Sequence, residues 1–137
     1  MVILLLGILS TFIASQYIDF TVDAKKNVTM ARMNELRIAI VGDPRAVAGG
    51  NYISRGFLNQ VGSLPSTLND LVVQGAYASY DPFLQKGWSG PYVSTADPNW
   101  KLDAWGTALQ YDPIGRTITS CGPDTICGNA DDLAINF

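Results

Sequence analysis

Residues 1–41 read MVILLLGILSTFIASQYIDFTVDAKKNVTMARMNELRIAIV, and this stretch decides the fold. It contains no proline, and Gly7 is its only glycine. Because these two residue types weaken a helix interior most, the stretch predicts one continuous helix. At a rise of about 1.5 Å per residue such a helix is about 60 Å long. The following Gly42-Asp43-Pro44 predicts its end.

The two halves of this helix differ in character. Residues 1–18 carry no charge and are almost purely apolar, which predicts a segment for a membrane or a filament core. The segment is at the lower limit for crossing a hydrocarbon layer of about 30 Å. It lacks the basic start and cleavage site of a secretory signal peptide. Residues 19–42 are charged and amphipathic, and an apolar series at spacings of three or four predicts one face packed on a head: Met30, Met33, Leu36 and Ile40.

Residues 43–137 predict a small globular head with a short helix and an antiparallel sheet. Ser66 is the expected N-cap of the short helix, which Gly75 closes. Residues 108–111 and 117–120 predict a β-hairpin, and 133–136 a third strand. Residues 80–105 predict an ordered loop, in which Trp88, Tyr92 and Trp105 are structural rather than a binding platform. The fold class is therefore predicted as α+β, with residues 1–42 as the N-terminal helix and 43–137 as the head.

Composition excludes several functions. The 137 residues include no histidine, 9 Lys+Arg and 12 Asp+Glu, for a formal net charge of −3. Without histidine the chain has no Ser-His-Asp or Cys-His site and no His-ligated zinc. An acidic chain without a basic face does not predict contact with nucleic acid. Adjacent Asp131 and Asp132 on a loop form a poor acid–base pair, so we expect no enzyme.

Several motifs resemble those of type IV pilins, and most of all those of the major pseudopilins of type II secretion systems. The run Leu6-Gly7-Ile8-Leu9-Ser10 is similar to the signature of the pilin helix. Three further motifs follow in the family's order: Gly87-Trp88-Ser89-Gly90-Pro91-Tyr92, Asp103-Ala104-Trp105-Gly106, and Ser120-Cys121-Gly122-Pro123-Asp124 followed by Asn129-Ala130-Asp131-Asp132-Leu133. The resemblance covers nearly the whole chain.

The resemblance implies a structural subunit of a helical filament. Such a subunit resides in the bacterial inner membrane before assembly and then in a periplasmic or extracellular fibre. Its partners are copies of itself, other pilins or pseudopilins, and an inner-membrane assembly machinery that includes an ATPase. The expected filament-core residues are Ile3, Leu4, Leu5, Ile8, Leu9, Phe12 and Ile13. A stand-alone, membrane-anchored binding module is the alternative.

The start of the chain departs from the family. Family precursors carry a basic leader, a glycine at the peptidase site, a phenylalanine that becomes methylated, and a glutamate at the fifth mature position; none is present here. If Gly7 corresponds to the family's helix glycine, we expect roughly seven further residues before Met1.

The loop of residues 121–132 is the expected site. It holds three aspartates and no lysine or arginine, and carboxylates on a loop rich in turn residues suit Ca²⁺ better than Mg²⁺. A solvated acidic turn is the alternative. The resemblance implies calcium ligation by the side chains of Asp124 and Asp131, the carbonyls of Cys121 and Ile126, and Asn129.

Two cysteines, Cys121 and Cys127, lie within this loop. In an exported protein an even pair is more often bonded than free. A disulfide is therefore expected, and a redox or metal-binding thiol pair is the alternative. The spacing is not C-x-x-C, and no basic residue lies nearby to lower a thiol pKa.

Overall fold

The computed structural model describes the backbone of residues 2–137 and the side chains of residues 2–8 and 20–137. Its main element is the helix α1, Val2–Val41, which at about 1.5 Å per residue is about 60 Å long. It ends where the sequence predicts: Gly42 has φ +86° and donates its N–H to the Ile38 carbonyl at 2.7 Å. Among the side chains described, no helix combines the length and apolar content needed to cross a membrane.

Three of the four residues predicted to face the head from α1 are buried. Met33, Leu36 and Ile40 are at most 2% exposed, and their spacings follow the helical repeat. The prediction for Met30 is wrong, because this side chain is 38% exposed. Thr29, which is fully buried, takes the place on the stripe four residues before Met33. Its hydroxyl accepts a hydrogen bond from the N–H of Ala104 at 3.0 Å, which satisfies the polar group inside the head.

The connection after α1 contains secondary structure that the sequence did not predict. Two short strands, β1 (Val47–Ala48) and β2 (Asn51–Tyr52), form an antiparallel hairpin. The helix α2, Gly56–Val61, follows and packs against the end of α1. Gly56 has φ +73° and lies directly against the backbone of Gly42, so a side chain at this position would separate the two helices.

The predicted short helix is a 3₁₀ helix, Leu68–Leu71. The expected N-cap is wrong by one residue: Thr67 takes that position, not Ser66. The Asp70 carboxylate accepts the backbone N–H groups of Ser66 and Thr67 at 2.8 and 3.1 Å. Asp70 is thus the third helical residue of a capping box, and its carboxylate caps the N-terminal end of this helix.

The predicted three-stranded sheet is present. It consists of β3 (Gln110–Asp112), β4 (Thr117–Ser120) and β5 (Leu133–Asn136) in the antiparallel order β3-β4-β5. Ile118 of β4 is fully buried. One core joins this strand to α1, α2 and the 3₁₀ helix, and its buried members are Met33, Leu36, Ala39, Ile40, Phe57, Leu68, Leu71, Val93, Leu109 and Ile118.

The aromatic residues of the long loop have structural contacts. Trp88 and Tyr92 are partly buried against the core, and the Trp88 indole N–H donates to the Asp70 carbonyl at 2.9 Å. The Tyr92 hydroxyl donates to Oε1 of Gln60 at 2.8 Å. Trp105 is half-buried. The rings of Trp88 and Tyr92 therefore help to fix an irregular segment.

Candidate functional site

The candidate site is the acidic loop, defined here as residues 121–132, which connects β4 to β5. A buried carboxylate fixes its start. Asp103 is 2% exposed, and its Oδ1 accepts the N–H groups of Trp105 at 3.0 Å and Thr107 at 2.9 Å. Its Oδ2 accepts the Ser120 hydroxyl at 2.7 Å. Three donors thus compensate the burial of this charge.

The two cysteines are joined as expected. Cys121 and Cys127 form a disulfide with Cα atoms 4.2 Å apart, and Cys121 is almost fully buried. The Gln110 amide of β3 lies 3.0 Å from Sγ of Cys127. The disulfide therefore ties the middle of the acidic loop to the end of the sheet.

Three predicted ligand side chains lie together in the acidic loop. The Asn129 amide nitrogen donates to Oδ2 of Asp124 at 2.6 Å, and the Asp131 N–H donates to Oδ1 of Asn129 at 3.3 Å. Oδ1 of Asp124 accepts the N–H of Ile126 at 2.9 Å. Asp124, Asn129 and Asp131 are thus linked by hydrogen bonds.

Asp132, which the resemblance places outside the ligand set, has an unexpected position. Its Oδ2 accepts the N–H of Gly128 at 2.7 Å. Its Oδ1 is buried and has no hydrogen-bond partner. A buried carboxylate oxygen in this state is costly unless water or a cation satisfies it.

The donor chemistry of the acidic loop suits a hard cation. Carboxylate and amide oxygens are the ligands that Ca²⁺ prefers. Within the described side chains, however, no group of three or more carboxylates or cysteines converges as a metal-binding set. The expected set contains only two carboxylates, so the remaining oxygens must come from Asn129 and from backbone carbonyls.

The second candidate surface is the start of α1. Ile3 and Leu4 are 86% and 72% exposed, and Leu5 and Ile8 are also exposed. These four residues of the predicted filament core therefore do not lie in the core of the head. The other three, Leu9, Phe12 and Ile13, lie outside the side chains that the structure describes.

Comparison with known proteins gives no relative: no protein-family model, curated protein or solved structure matches this chain.

The roles of Asp103 and Asp132 were not predicted from the sequence. Asp103 was noted only as a member of a motif. Its hydrogen bond to Ser120 was not predicted, because the two residues are far apart in sequence. The signal for Asp132 was its place in an acidic run, but only the structure shows that one of its oxygens is buried.

Proposed function

We propose that this chain is a structural subunit of a helical filament built around its N-terminal helix. We infer that the subunit is pilin-like and that it resembles the major pseudopilin of a type II secretion system. The exposed apolar surface at the start of a 40-residue helix carries the proposal. A monomer in water would leave that surface uncovered.

The physical argument rests on the two ends of α1. The second half of α1 supplies Met33, Leu36 and Ile40 to the core of the head, whereas Ile3 and Leu4 project beyond it. Bundling of the first halves from several copies removes apolar surface from water, which stabilises by about 25 cal/mol per Å². Identical subunits in heterologous contact that does not close generate a helical fibre. Before assembly the same surface faces lipid, and the chain contributes structure and no catalysis.

The acidic loop is proposed as a calcium-stabilised element of the head. Asp124 and Asp131 carry like charges in one short loop, together with Asp132. A bound Ca²⁺ supplies positive charge that offsets their repulsion. Because the ion binds the folded loop and not the unfolded chain, it stabilises the head by mass action.

The test of the filament is a charge in the apolar segment. Cells that express the assembly machinery and this chain should form fibres, and Leu5→Asp should abolish them. The matched control is Val73→Asp, since Val73 is a 62% exposed apolar residue on the head. Fibres that persist in Leu5→Asp, or a wild-type chain that remains a single membrane-anchored subunit, would overturn the proposal.

A further inference from the structure

A groove of about 770 Å³ lies where the end of α1 meets β2 and α2. Three arginines line it, Arg37, Arg45 and Arg55, together with one carboxylate, Asp43. Ile38, Val41 and Tyr52 add apolar surface. We refer to it as the arginine groove. Its charged residues sum to +2 in a chain whose net charge is −3.

The positive charge of the arginine groove is largely uncompensated. Among the residues described, only Arg45 of the three arginines has a carboxylate partner, at 3.4 Å from Asp43. The Arg37 guanidinium donates to the Asn34 amide oxygen at 3.1 Å. The backbone N–H of Arg45, with the charges of Arg45 and Arg37, lowers the pKa of the Asp43 carboxyl. The groove thus favours negative charge.

The acidic loop has the complementary character. It carries three carboxylates and no cation, and Ile126 at its tip is 65% exposed. Its charge of −3 becomes −1 with a bound Ca²⁺, which is still opposite in sign to the groove. An apolar side chain beside carboxylates matches a groove lined by apolar residues and arginines.

The two surfaces lie at different levels of the same helix. The acidic loop begins next to Ser120, which bonds Asp103, and the neighbouring Ala104 bonds Thr29 of α1. The groove begins at Arg37 and ends beyond Val41. At about 1.5 Å per residue, the groove is about 12–18 Å further along α1 than Thr29. A parallel copy displaced along α1 brings one surface towards the other.

We propose that the acidic loop of one copy docks in the arginine groove of the next copy in the filament. This inference rests on the proposed function. It adds a contact between the globular heads of successive copies to the contacts of the helix bundle. Ile126 enters the groove between Tyr52 and Val41, and the flanking carboxylates face the arginines. Because the two surfaces differ, the contact is heterologous and propagates along the fibre.

Photocrosslinking of the full chain in cells that form fibres tests this docking. The photoreactive amino acid benzoylphenylalanine replaces Ile126, which keeps the backbone carbonyl of that position. Irradiation should give a dimer whose adduct maps to residues 38–55 of the second copy. A second probe at Leu5 reports the helix bundle independently.

The outcomes separate the docking from the filament itself. Dimers from the Leu5 probe, with Ile126 adducts elsewhere on the second copy or on another protein, would overturn the docking and leave the filament intact. Absence of second-copy adducts from both probes would overturn both proposals. Arg55→Glu should lower the Ile126 yield about tenfold, since like charges at an interface repel. Lys25→Glu makes the same change in net charge outside the groove and should leave the yield unchanged, and Arg55→Lys should retain it.

Discussion

The Ser120 hydroxyl donates a hydrogen bond to Oδ2 of Asp103 at 2.7 Å, and both residues are almost completely buried. The same hydroxyl oxygen accepts the N–H of Gly122 at 3.2 Å. One hydroxyl therefore connects a buried charge to the first residues of the acidic loop. Without this donor, the carboxylate oxygen would be left unsatisfied inside the protein.

Ser120→Ala should therefore destabilise the head. We expect a loss of about 1–3 kcal/mol in the free energy of unfolding, the usual cost of an unsatisfied buried group. Denaturant unfolding of the full chain in detergent micelles measures it. Ser63→Ala, at an exposed serine, is the control and should change the free energy by less than about 0.5 kcal/mol. Equal values for both variants would contradict the role of this bond.

Two methionines on α1 give a matched test of the buried stripe. Met33→Ala removes a fully buried side chain and should cost about 2–5 kcal/mol, because it leaves a cavity. Met30→Ala, at a 38% exposed position, should cost clearly less. Thermal or denaturant unfolding compares the two variants, and a larger cost at Met30 would show that Met30, and not Met33, faces the core of the head.

Much of this architecture could be predicted from sequence, and the failures have physical causes. The end of α1 at Gly42 and the bounds of strands β4 and β5 were predicted as observed. A helix stop and short runs of strand-forming residues are local signals. The hairpin β1–β2 was missed since its two-residue strands are exposed. Helix α2 was missed because it has six residues and no side-chain cap; packing against α1 stabilises it.

The candidate site was also predictable from the sequence only in part. The cysteine pair and the candidate oxygen ligands were visible in one short run of sequence. The bonds of Asp103 were not, because its partner Ser120 comes from β4 and only the folded chain brings them together. Burial of one oxygen of Asp132 likewise depends on tertiary structure.

Tyr111 predicts a loss of stability at alkaline pH. Burial, followed by the charge of Asp70, raises the pKa of its phenol from 10.0 to about 12, and its hydroxyl donates to the Pro65 carbonyl at 2.8 Å. The unfolded chain then loses this proton at lower pH than the folded chain. The free energy of unfolding therefore declines as pH rises from about 10 through the folded pKa of about 12.

The variant Tyr111→Phe isolates this effect. It keeps a ring to stack on Phe137, whose centroid lies 5.8 Å away, but has no proton to lose. We expect it to be less stable than wild type at neutral pH and to show a smaller decline between pH 10 and 12. Unfolding measured across that range checks both. Tyr52→Phe, on an exposed residue, is the control, and identical slopes for Tyr111→Phe and wild type would contradict the assignment.

Calcium should raise the thermal midpoint of the full chain, because binding offsets repulsion within the acidic loop. In chelator we expect a lower midpoint and partial loss of order in residues 121–136, since the disulfide keeps part of the loop geometry. Asp124→Ala should remove most of the calcium effect. Asp132→Ala should remove less, because Asp132 lies beside the expected ligands. Equal wild-type midpoints in calcium and in chelator would identify the loop as an acidic turn.

The filament itself is tested most directly by electron cryo-microscopy of fibres formed by the full chain. The expected reconstruction has parallel copies of α1 along the axis, with Ile3, Leu4 and Leu5 in contact with neighbouring copies and the heads outside. Fibres joined only through their heads, with those three side chains away from any other copy, would contradict the account.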